Sequence, residues 1–172
     1  VRMMVSTCLR RLGQVDDIIA KALEREVPRN HQLQNILRLG VTQILFMEVA
    51  DHAAVDVAVR LCEHCDMDSR KGFVNGVLRN VVRNGQAWKA RQDETRLNTP
   101  EWLLKIWIED YGMGVTAEIA RAHLAEAPLD ITVRDADSRS FWAAEFQATE
   151  LSTHSLRRTA GGAVHELAGF DE

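Results

Sequence analysis

The chain has 172 residues, of which 46% are apolar and 27% charged, with three Cys, three Pro and ten Gly. Those proportions exclude disordered, collagen-like and disulfide-stapled classes, and the length supports one compact domain or a main domain with a small appendage. The net charge of −4 is unevenly spread: residues 70–92 hold six Lys and Arg without a single Asp or Glu, between two acidic segments. A purely basic stretch of this kind is where an anionic partner would dock.

Val1 to Leu12 reads as a helix already under way, so an upstream piece is expected to be missing. Val15, Ile18, Ile19, Ala22 and Leu23 recur at three-and-four spacing between Gly13 and Pro28, which predicts a short amphipathic helix. From His31 to Met47 the apolar stripe is wide and contains Gly40, where a neighbouring helix can come close; this is the expected central helix. Asp51 is placed as the cap of a helix over Ala53–Cys65. The next runs from Arg70 to Asn84 with Phe73, Val74, Val77, Leu78, Val81 and Val82 inside and Gly85 as its stop.

Residues 85–98 are polar and lose the periodicity, so a linker is expected there. Thr99-Pro100 then opens a helix with Trp102, Leu103, Ile106 and Trp107 inward and Gly112 as its end, followed by another over Val115–Ala127. Leu129, Ile131 and Val133 alternate with polar residues up to Asp135 and predict the first strand. A short helix over Phe141–Ala148 and strand candidates near Leu156 and Val164 complete the tail.

Cys62-Glu-His-Cys65 has the spacing of half a zinc site, but no second pair exists and both thiols fall on a predicted buried face, which favours core packing. Gly112-Met-Gly-Val-Thr-Ala117 has the spacing of a dinucleotide loop, yet it follows a helix where that mechanism needs a strand; a helix-to-helix turn fits better. Gly161-Gly162 is a weaker form of the same signal. The six His are scattered, and neighbouring carboxylates such as Asp16/Asp17 and Glu109/Asp110 read as solvated surface. No catalytic or metal-binding residue is assigned. Three cysteines are too few for a secreted disulfide framework, and neither an 18-residue apolar run nor a signal-peptide layout occurs, so a soluble, cytoplasmic protein without a membrane partner is expected.

The basic stretch carries the remaining chemistry. Arg79 and Arg83 lie four apart on the outer face of the predicted helix, Asn75 one turn earlier, and Arg70 and Lys71 at its start. Cationic side chains beside helix N–H groups suit backbone phosphates. The alternatives at this level are a protein partner and a merely solvated face.

Ile36-Leu-Arg-Leu-Gly-Val-Thr-Gln-Ile-Leu-Phe46, His52-Ala-Ala-Val-Asp-Val-Ala-Val59 and Lys71-Gly-Phe-Val-Asn-Gly-Val-Leu-Arg79 resemble, in order and spacing, the NusB-like helical domain that opens the Sun/Fmu family of 16S ribosomal RNA cytosine-5 methyltransferases. Pro100-Glu-Trp-Leu103, Tyr111-Gly112 and Ala127-Pro-Leu129 resemble that family's connecting region. The resemblance implies an accessory RNA-binding bundle, then a small α+β subdomain, then a Rossmann-like domain that binds S-adenosylmethionine. The family's cysteine nucleophile and its Thr-Cys-Pro cysteine have no counterpart here, and the S-adenosylmethionine loop is absent, so the chain is expected to hold no cofactor and to be non-catalytic alone. Thr132-Val133-Arg134 stands where the family usually has Arg-Val-Asn, and Asp56-Val57 where Asn-Glu is typical. The arginine-rich first helix of free-standing NusB-type factors is missing.

The expectation is therefore a mainly α fold: a NusB-like helical bundle over 1–98, then a partial small α+β subdomain over 99–172. Its expected role is to hold ribosomal RNA through Arg70, Lys71, Arg79 and Arg83, helped by Asn75, and so present a cytosine to its own C-terminal methyltransferase domain. The competing class is a protein-interaction module of the antitermination type, gripping an acidic partner with an apolar rim around Trp88. A structural relic that binds neither is the third.

Overall fold

The computed structural model describes residues 1–23, 27–159 and 163–170. Contacts divide the chain into two compact units, Val1–Leu124 and Ala125–Glu172. In the first, α1 (Arg2–Arg10) and α2 (Leu12–Ala22) lead to α3 (His31–Phe46), α4 (Asp51–His64) and α5 (Lys71–Lys89). The Asn30 carboxamide oxygen accepts the Leu33 N–H at 3.0 Å, satisfying one of the amides left free where α3 begins. Nine of the sixteen α3 residues are buried, as a helix enclosed by α1, α2, α4 and α5 requires. Gly40 is the point of closest approach: a Cβ there would stand 2.6 Å from Leu78 Cδ1 on α5.

Two expected helix ends differ. Asp51 is the first residue of α4 and Ala50 its cap; the carboxylate lies in the first turn, where negative charge favours the N-terminus. Gly85 does not stop α5, which continues to Lys89. The glycine is buried because Leu45 packs over it, its Cδ atoms 3.0 Å from where a Cβ would lie. Beyond it, the Lys89 ammonium donates to the Leu45 carbonyl at 2.7 Å and stands 4.6 Å from the Phe46 ring centre.

The polar stretch expected as a linker is likewise folded. After α5 comes α6 (Glu94–Asn98), which packs on α2. Gln14, 2% exposed, is the reason. It donates to Gln92 Oε1 at 3.0 Å, accepts from Asn98 Nδ2 at 2.9 Å and from Arg11 at 2.9 Å, while Gln92 Nε2 also donates to the Gln14 carbonyl and to Asp17. Periodicity vanishes here because the segment is held by hydrogen bonds rather than by an apolar stripe.

Helix α7 (Glu101–Ala122) is broken at Gly112, whose φ of 75° suits glycine. Trp107 and His123 meet edge to face at 5.4 Å, whereas a straight helix would hold them about 24 Å apart. The chain therefore doubles back at Gly112, as the helix-to-helix reading has it. Trp102 and Ile106, expected inward, are exposed, because α7 packs on α6 and on its own returning limb through the face of Leu103, Leu104 and Trp107. Contact with α6 also places α7 in the first compact unit, which ends at Leu124.

The second unit contains β1 (Leu129–Thr132), α8 (Arg139–Glu145), β2 (Thr149–Glu150) and β3 (Ser155–Arg158). The sheet is antiparallel in the order β1-β3-β2, with Asp130 opposite Arg157 and Ile131 opposite Leu156. Val133, Phe146 and Leu156 are its buried residues, and Trp142 stacks on Phe146 at 5.3 Å. The first strand stops short of Asp135, whose carboxylate accepts the Asp137 N–H at 3.2 Å and opens the turn before α8. The strand candidate near Leu156 is β3; that near Val164 is one turn of 3-10 helix. Gly161-Gly162 lies outside the described residues.

Candidate nucleic-acid interface

Helix α5 buries Val74, Val77, Leu78, Val81 and Gly85 against the bundle. At 100° per residue the opposite crest is the row Gly72, Gly76, Arg79 and Arg83, all exposed. Arg79 Nε donates to the Asn75 carboxamide oxygen at 3.0 Å, which braces the guanidinium along the helix. Among the described residues no carboxylate pairs with Arg79, Arg83 or Arg70, the exposed residue that precedes α5.

Lys71 differs from the expectation of an acid-free cluster. Its ammonium pairs with Glu63 at the end of α4 and with Asp68 at 2.9 Å, and both carboxylates hold its pKa above the ordinary lysine value. The turn between α4 and α5 folds these acids onto the helix start, just outside the basic stretch. Charge available to an outside anion is thus concentrated at Arg70, Arg79 and Arg83.

The partner wall was not legible as a site. His52, Val55, Asp56 and Val59 on α4 line a groove of about 540 Å³ with Gly72, Asn75, Arg79 and Val82 on α5. Their three-and-four spacing marks one face of α4, the only signal available beforehand. Asp56 is engaged by Arg60 at 2.7 Å. A second groove on the other side of the crest is lined by Leu23, Phe73, Asn80 and Arg83.

Elsewhere the chemistry is structural. Cys62 is fully buried in the core and burial pushes its thiol pKa up; Cys65 packs against the same cluster. No group of three or more metal-ligating side chains occurs among the described residues. Trp88, the centre of the apolar rim in the protein-interaction reading, is half-buried and packs on the core. No described helix is long and apolar enough to cross a membrane.

Residues 1–83, which end within α5 at Arg83, match the NusB family. They form a NusB domain. Over 179 residues the chain is 30% identical to ribosomal RNA small subunit methyltransferase B of Klebsiella pneumoniae, covering 95% of this chain and 40% of that protein. The protein of the same name from Citrobacter koseri is 30% identical over 175 residues, covering 95% and 41%. The chain thus spans about two fifths of the length of these relatives, and the similarity runs through the NusB domain into the sheet unit.

Proposed function

We propose that this chain is the RNA-holding portion of a ribosomal RNA cytosine-5 methyltransferase of the cytoplasm. S-adenosylmethionine and the catalytic cysteines would belong to a C-terminal domain outside the 172 residues, and the NusB domain would bring the RNA to it. One observation supports this most: Arg79 and Arg83 stand one turn apart on the exposed crest of α5, and among the described residues no carboxylate pairs with them. Arg70 extends the same charge to the helix start, Asn75 braces Arg79, and Lys71 contributes less because Glu63 and Asp68 already hold it.

Phosphate binding releases counterions, so affinity for a ribosomal RNA fragment is expected to fall linearly in log–log with salt. Replacing both Arg79 and Arg83 with Ala is expected to weaken binding and flatten that slope by about two units, roughly one per lost phosphate contact. Fluorescence anisotropy at several salt concentrations measures both. Unchanged affinity and slope in the double variant would refute the interface.

A further inference from the structure

The groove between α4 and α5 is not built for phosphate alone. Its lining sets two carboxylates, Asp51 and Asp56, against two cations, Arg79 and a Lys71 already held by Glu63 and Asp68, so it offers no net positive charge to an anion. Its floor is aliphatic, formed by Val55, Val59 and Val82, and His52 and Asn75 add a ring and a carboxamide to its walls. At about 540 Å³ it falls within the roughly 300–1,000 Å³ range of small-ligand clefts. A nucleobase fits this chemistry: its flat faces match an apolar floor, its edges offer donors and acceptors, and it carries no charge for the acids to repel.

The crest beside the groove complements it. Gly72 borders both grooves, and a Cβ there would meet nothing within 4 Å, so the helix surface is open between them. Arg79 belongs to one groove and Arg83 to the other, so cations flank the passage on both sides. No carboxylate lines the second groove among the described residues.

Resting on the RNA reading above, we propose that the NusB domain holds single-stranded RNA, with one unstacked base in the α4–α5 groove and the adjoining phosphates on Arg79 and Arg83. A duplex would keep that base stacked and could use only the arginines.

Gly72→Leu tests this in the full chain. The new side chain enters open space on an exposed helix position, so the thermal melt is expected to hold or rise, while the groove mouth is filled. Single-stranded oligonucleotides should then bind roughly tenfold or more weakly, as for loss of one base-stacking contact, with the salt slope preserved. His52→Ala, which removes a rim ring, should weaken single strands in the same direction and leave a duplex of equal length unaffected. Wild-type affinity in both variants, or a duplex bound by the parent chain as tightly as a single strand, would overturn the base pocket. Either result would leave the phosphate reading standing if the double arginine variant still loses binding; if that variant binds normally, the RNA reading itself fails.

Discussion

In the described part of residues 1–124 eighteen side chains form one continuous buried cluster, whereas that of residues 125–172 buries three. Full burial of an aliphatic side chain stabilises by about 1.5–3 kcal/mol, so the helical unit draws its stability from a shared interior. The sheet unit has little interior to share. It is instead tied by surface ion pairs, Asp130 to Arg157 across β1 and β3 at 2.7 Å and Arg139 of α8 to Glu150 of β2 at 2.8 Å. A candidate binding crest on α5 is backed by the larger cluster, which holds Arg79 and Arg83 on a rigid element.

Truncation should expose the contrast most strongly. Leu78 is fully buried where α5 meets Gly40 of α3, and Leu78→Ala is expected to cost about 2–5 kcal/mol, read from the urea midpoint. A loss below about 1 kcal/mol would mean that the site collapses easily and that the two helices are not locked there. Leu156→Ala removes one of three buried side chains, with an expected cost of about 2–4 kcal/mol. In so small a core that loss should open the sheet, so amides of β1 and β3 exchange rapidly while those of α3 and α5 keep their protection. Equal exchange in both units would show that the sheet does not depend on this core. A smaller effect comes from the polar lock between α2 and α6. Gln14→Ala removes the donor to Gln92 Oε1 and the acceptor shared by Asn98 and Arg11, and is expected to cost about 2 kcal/mol, again read from the urea midpoint.

How much of this could be read beforehand follows the same division. Apolar period identified α2, α3, α4 and α5 because each buries a stripe against the others, and Gly40 was legible as a close approach because it interrupts such a stripe. Residues 85–98 were misread as a linker because Gln92, Glu94 and Asn98 bind through hydrogen bonds to Arg11 and Gln14, partners 78 to 84 residues away. Gly85 was misread as a stop because a glycine buried under Leu45 and one ending a helix look the same in sequence. Arg79 and Arg83 were visible from spacing and charge. The acids on Lys71 were half visible, since Asp68 lies three residues before it, whereas Glu63 reaches it only through the fold. The groove wall on α4 depends on how two helices pack and has no local motif.

The smallest expected effect concerns the surface pair of the sheet. The Arg157 guanidinium hydrogen-bonds both Asp130 oxygens across β1 and β3 and holds that carboxyl below its ordinary value. A carboxylate whose pKa is lower folded than unfolded adds stability above its unfolded value and loses it as pH falls through the folded one. Protection of the β1 and β3 amides should therefore be steady near neutral pH and fade in the acid range below the usual carboxylate titration. Both side chains are exposed, so high salt should shrink the effect at neutral pH as well. Asp130→Asn should abolish this part of the pH dependence while leaving the buried Leu156 in place. If the variant keeps the parent's acid sensitivity, the pair is ornamental and the sheet's acid response lies with Glu150 on the β2 edge and its partner Arg139 on α8.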